Sequence, residues 1–128
     1  MRGKTWSTRA LTLFAPILIV VGVLGFVLPP DKSLTSGAPA YNVFHIVFGI
    51  VGLACLATRR EPVIRGFLVG FGLIDLYQAL ASFAGLFPKE LFRWTVVDDV
   101  LHVTVGLALV AFGVWGSAPR TQPATASR

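Results

Sequence analysis

Two histidines stand in matching company. "YNVFHIVFGIVGL" begins at Tyr41 and "DDVLHVTVGLALV" begins at Asp98, 57 positions later. Each supplies an Asn or Asp, a His three residues on, and a Gly four residues beyond that. Positions i, i+3 and i+7 share a helix face, so Asn42, His45 and Gly49 line up, as do Asp99, His102 and Gly106. Two imidazoles facing across a helical bundle could ligate the iron of haem b or, with Asp98 and Asp99, a transition metal. Glycines one turn from each His would leave room for a macrocycle edge, or would let the helices close-pack and remove that room. A pair of histidines has no spacing signature as specific as paired cysteines. The simpler expectation is no cofactor. Asn and Asp are favoured N-caps, Asn42 and Asp99 stand where apolar runs begin, and His45 and His102 could then hydrogen-bond a loop carbonyl or the cap.

A second polar set lies on one helix face: Asp75, with Gln78 at i+3 and Ser82 at i+7. The surrounding run, Gly66 to Phe87, contains no Lys or Arg, and a carboxylate at mid-bilayer costs roughly 2.5 to 3.5 kcal/mol on insertion scales. A neutral or hydrogen-bonded Asp75 facing the bundle interior is therefore expected. These three residues could serve as interhelical glue or as a file for protons or an ion. Catalysis is not expected: there is no Gly-rich phosphate loop, no Gly-x-Ser-x-Gly elbow and no nucleophile near Asp98, Asp99 and His102. The single Cys55 excludes a disulfide framework and a paired-thiol motif.

The elements that must hold these residues are helices in lipid. The chain has 128 residues, 55% hydrophobic and 13% charged, with a mean hydropathy of +0.75, values foreign to a soluble domain. A bilayer core of about 30 Å asks for about 20 apolar residues. Four continuous runs approach that length, over about 10–29, 41–58, 66–87 and 100–118, within a membrane domain spanning 10–116. Continuous rather than alternating apolarity points to helices and not a barrel. Residues 1–9 form a basic tail, and the small, polar, Pro-bearing 117–128 is expected to be disordered. The run at 10–29 is too long for the core of a cleaved signal peptide.

The net charge of +5 is distributed by side. Arg2, Lys4, Arg9, Arg59, Arg60, Arg65, Arg120 and Arg128 fall with the termini and the middle loop, against Lys32, Lys89 and Arg93 in the other two loops. The positive-inside rule places both termini in the cytoplasm, so basic charge reports orientation in the cell membrane rather than nucleic-acid binding. Trp6, Trp115, Tyr41 and Trp94 sit near run ends, as interfacial rings do. "KELFRW", from Lys89, suits a one-turn interfacial helix.

The superposition of Asn42 on Asp99, His45 on His102 and Gly49 on Gly106 reads as an internal repeat, joined by the looser match of "GFVLP" at Gly25 to "GLFP" at Gly85. The expected fold class is all-α: an integral membrane four-helix bundle of two parallel helical-hairpin repeats, both termini cytoplasmic. With its Asn/Asp-x-x-His-x-x-x-Gly stretch in spans two and four, Arg9 to Gly116 resembles a family of small bacterial four-span proteins catalogued only as a domain of unknown function. Asp98-Asp99 stands where that pattern has Asp-Asn, and the resemblance implies no activity. An accessory or structural role in the bilayer follows, with electron transfer through His45 and His102, or an ion pathway through Asp75, as alternatives. Gly22 and Gly25, without an assigned neighbour, leave room for a homo-oligomer or a larger membrane complex.

Overall fold

The computed structural model describes residues 4–116; the tail expected to be disordered, 117–128, lies outside the described residues. Five helices follow one another: α1 (Trp6–Val27), α2 (Pro39–Ala57), α3 (Glu61–Ala84), the one-turn α4 (Lys89–Phe92) and α5 (Val96–Trp115), with a 3-10 turn at Pro30–Lys32. The four longer ones are long and apolar enough to cross a membrane. The "KELF" segment is helical, as its alternation predicts.

Each long helix begins before its apolar run, because local capping decides where a helix can start. The Thr5 side chain accepts from the Thr8 amide at 3.2 Å, and Pro39 opens α2 at the position where a missing N–H costs nothing. At α5 the Thr95 side chain accepts from the Asp98 amide while Asp98 accepts from the Thr95 amide, a reciprocal capping box. The expected N-cap roles of Asn42 and Asp99 are therefore corrected. Ala38 and Thr95 hold the cap positions, and Asn42 and Asp99 sit a full turn inside.

α1 pairs with α2 and α3 pairs with α5 along most of their lengths, glycines setting the approach. A Cβ on Gly49 would stand 2.9 Å from the Ala15 carbonyl oxygen, and one on Gly106 would stand 2.9 Å from that of Gly72. Ile19 also lies against the Gly49 position, at 2.5 Å, and Leu76 against that of Gly106, at 3.1 Å. In both pairings the contacted residues, like the glycines, are 57 positions apart. Gly22 lies against the Asn42 carbonyl and Ile46, and Gly25 against the Asn42 side chain, so the neighbour sought for them in another molecule is α2 of the same chain. Gly25 and Gly85 are also unlike: Gly25 is a close-approach site inside α1, while Gly85, at φ 72°, is the left-handed cap that ends α3.

The start of α1 and the end of α5 lie together at one end of the bundle. There the Ser7 hydroxyl donates to the Phe112 carbonyl at 2.7 Å, Thr5 donates to Glu61 at 2.9 Å, and the Arg65 guanidinium donates to the Gly113 and Val114 carbonyls at the C-terminal end of α5. An apolar core of Leu11, Ala15, Leu18, Ile64, Leu68, Phe71 and Leu109 joins α1, α3 and α5. Exposed Leu13, Val20, Val47, Leu80 and Leu107 face outward, the arrangement a lipid solvent accepts. The opposite, distal end carries segments 28–38 and 85–95, and most of the polar residues singled out in the sequence lie in its half.

Candidate functional site

The centre of the distal half is a buried polar cluster contributed by three helices. α2 supplies Tyr41 and His45, α3 supplies Asp75 and Gln78, and α5 supplies Asp98 and His102. All six are at most 7% exposed.

Asp98 organises the distal loops. Its Oδ2 accepts from the Ser36 and Thr95 amides, each at 2.8 Å, while the Ser36 hydroxyl bonds the Phe92 carbonyl and Thr95 donates to the Leu34 carbonyl at 2.9 Å. One carboxylate thereby ties the α1–α2 connection to the start of α5. Its other oxygen lies 3.3 Å from the Tyr41 hydroxyl, which is 2.6 Å from Nε2 of His102. A phenol has one proton, so both contacts are satisfied when Nε2–H of His102 donates to the phenol oxygen and the phenol donates to Asp98. His102 Nδ1 then has no proton to give, and it has no partner among the described residues.

His45 stands on the other flank of Tyr41, its ring edge-on to the phenol ring at a centroid distance of 4.2 Å; the His102 ring is 5.8 Å away. His45 and His102 thus share a level and a neighbour, but Tyr41 contacts both rings. One metal held by both would need imidazole nitrogens about 2 Å from it, and Nε2 of His102 is engaged by the phenol. Among the described residues no group of three or more His, Cys, Asp or Glu side chains could hold a metal ion. His45 Nδ1 and Asp99 Oδ1 are also buried without a partner.

No protein-family model, curated protein or solved structure matches this chain. The chemistry of the site is carried by its geometry alone. Asp75 is buried and faces the bundle interior, as its lipid setting predicts, accepting from Gln78 Nε2 at 3.2 Å; Gln78 accepts in turn from the Trp94 indole N–H at 3.1 Å. An indole nitrogen only donates, so this chain of bonds orients Asp75 but offers a proton no path beyond Trp94. Ser82 is buried on the same face and makes no side-chain bond among the described residues. Asn42 is buried too, donating to the Gly37 carbonyl at 3.0 Å.

Two aromatics expected near the interface also take part in the site. Tyr41 is 2% exposed, and the half-buried Trp94 packs edge-on to His102. The signal for Tyr41 was in the sequence: it lies four residues before His45, as Asp98 lies four before His102, so each shares a helix face with its histidine.

Beside the cluster lies a cavity of about 400 Å³ between α1 and α5. The two helices meet through Ser7 where α1 starts and α5 ends, and the cavity lies between them toward the distal end. Ile17, Val21 and Leu24 of α1 and Leu101 and Val105 of α5 form its lips. Tyr41, His45, Asp75, Asp98 and His102 reach its inner wall, and Lys32 to Thr35 border its distal rim.

Proposed function

We propose that this chain is a small multi-pass protein of the cell membrane, non-catalytic and accessory or structural, crossing four times with both termini in the cytoplasm. The orientation rests on the distribution of Lys and Arg. The two hairpins are read as a parallel repeat about an axis along the membrane normal. Matching contacts of Gly49 with Ala15 and Ile19, and of Gly106 with Gly72 and Leu76, support this, as does the pairing of α2 with α1 and α5 with α3. Membership of the four-span family named above is carried by the two Asn/Asp-x-x-His-x-x-x-Gly stretches.

The observation that carries the structural role is the bond of Tyr41 to Asp98 and His102, which joins the first hairpin to the second in a low-dielectric interior. Breaking it leaves buried polar atoms unpaired, which holds the hairpins to one arrangement. His102 acts here as a member of a clasp, and His45 packs edge-on to its tyrosine.

The test is purification in mild detergent with an absorption spectrum and elemental analysis, beside a His45→Ala/His102→Ala variant. A colourless, metal-free protein whose variant melts earlier is the expected result. A Soret band or stoichiometric metal that disappears in the variant would replace the clasp with a ligand pair and make electron transfer the function.

A further inference from the structure

The cavity between α1 and α5 has a polarity that selects an occupant. Its lips are hydrocarbon, with Ile17, Leu24 and Leu101 between 43% and 45% exposed, so in a bilayer it opens sideways toward acyl chains rather than toward water. Its hydrogen-bonding groups are on the inner wall. His45 is 7% exposed, its Nδ1 is an unpartnered buried atom, and its Nε2 makes no hydrogen bond among the described residues. Asp75 is 4% exposed and uses only Oδ1, toward Gln78. An imidazole and a carboxyl oxygen are thus left with bonding capacity beside a cavity whose volume lies in the range of roughly 300 to 1,000 Å³ usual for ligand sites.

A molecule entering from the lipid must carry its polar end inward and leave its tail between the lips. That polar end meets the carboxyl groups of Asp75 and Asp98, while Lys32, the cation lining the cavity, is at the distal rim. Fatty acids and phosphatidylglycerol are anionic and would meet the Asp98 carboxylate at the inner wall, and the zwitterionic phospholipids would bring a phosphate to the same place. An uncharged head that can accept from an imidazole N–H and, in its hydroxyl form, donate to a carboxyl oxygen is matched instead. The rings of Phe14, Tyr41 and Phe71 line the cavity, and a flat ring packs against such walls. We propose that the α1–α5 cavity is a lateral binding site for a prenylquinone or its quinol, its ring directed at His45 and Asp75 and its isoprenoid tail lying along Leu24 and Leu101.

The opposite side of the bundle shows why the space is there. Positions 57 residues before Leu101 and Val105 are Phe44 and Phe48, and between α2 and α3 these rings stack on Phe71 at centroid distances of 5.8 and 5.2 Å. The chain therefore contains its own pattern for filling such a space, and α5 carries the smaller residues. This comparison guides the variant; the site itself does not depend on the repeat or on the clasp.

The test uses full-length protein in nanodiscs of synthetic phosphatidylcholine, with Trp6→Phe and Trp115→Phe so that Trp94, in contact with His102, is the reporter. Decylubiquinone is titrated against this protein and against a Leu101→Phe/Val105→Phe version. Saturable quenching that weakens by about tenfold in apparent affinity in the filled version is expected, with palmitate and phosphatidylglycerol failing to compete. Quenching that is linear in quinone, or equal in both proteins, overturns the site. Competition by palmitate at equal concentration overturns the uncharged head, and equal competition by dodecanol overturns the quinone class. Should the filled version not fold, a photoreactive azidoquinone on the wild-type chain decides. Labels confined to segments 17–35 and 98–105 uphold the site, and labels spread over all lipid-facing helices overturn it.

Discussion

Tyr41 and Asp98 occupy corresponding positions 57 residues apart, and their side chains touch at 3.3 Å. On the parallel repeat proposed above, equivalent positions meet only where the relating axis passes. At such a place identical side chains would face each other, two phenols or two carboxylates. A tyrosine opposite an aspartate avoids the repulsion of two carboxylates and gives the one present a donor. On that proposal the two halves differ at this position, while His45 and His102, one turn deeper, remain alike.

Tyr41→Phe isolates that contact, since it keeps the ring between its neighbours and removes the hydroxyl. His102 Nε2–H and the Asp98 Oδ1 would lose their shared partner in a buried site, a cost of about 1–3 kcal/mol. A lower melting temperature in detergent with unchanged helix content is expected. An unchanged melt would show that the clasp contributes nothing to holding the hairpins.

Asp98→Ala acts more broadly, because the carboxylate also receives the Ser36 and Thr95 amides. The α5 cap would weaken by about 0.5–2 kcal/mol, and the 33–36 segment would lose one of its tethers to α5, keeping the Thr95–Leu34 bond. Amide exchange should accelerate at Ser36 and Thr95 well before it does in the middle of α3. Equal acceleration throughout would mean that the loops are held by other contacts.

Asp75→Asn preserves an acceptor for Gln78 and removes the titratable carboxyl. With the bonded chain ending at a donor-only indole, proton flux into vesicles is expected to be the same for both proteins. A flux present in wild type and lost in Asp75→Asn would restore the ion pathway.

Membrane orientation can be read chemically. In a Cys55→Ala background, Lys32→Cys is expected to react with an impermeant maleimide on intact cells, and Arg59→Cys only after permeabilisation. The reverse pattern would invert the topology while leaving the bundle unchanged.

What the sequence made legible follows from what each signal depends on. Spans are legible because lipid requires about 20 apolar residues wherever it is crossed, and the histidine faces because helix periodicity needs no partner. Register was harder. Asn42 and Asp99 were assigned as caps from the edges of apolar runs, yet Pro39 and the Thr95–Asp98 box start the helices earlier and carry both residues inward. The cavity was invisible, since the smaller Leu101 and Val105 matter only once α5 is known to face α1 and Phe44 and Phe48 to face α3.

Glycine substitutions measure how much of the pairing depends on close backbone approach. Gly106→Ala places a methyl 2.9 Å from the Gly72 carbonyl oxygen and 3.1 Å from Asp75 Cβ. Backbone on one side cannot yield as a flexible side chain does, so α3 and α5 must separate. A loss of roughly 1–3 kcal/mol is expected, as for other overpacked sites. Gly49→Ala meets the same obstacle in the Ala15 carbonyl and should behave alike. Gly70→Ala meets nothing within 4 Å, and its helix gains up to about 1 kcal/mol of intrinsic propensity. Melting the three variants side by side in one detergent should therefore give two losses of similar size and one neutral or higher value. If Gly106→Ala melts with Gly70→Ala, the α3–α5 seam is looser than its carbonyl contact requires. If Gly49→Ala and Gly106→Ala differ widely, the two hairpins do not use their glycines equivalently, and the repeat is one of sequence without a shared packing rule.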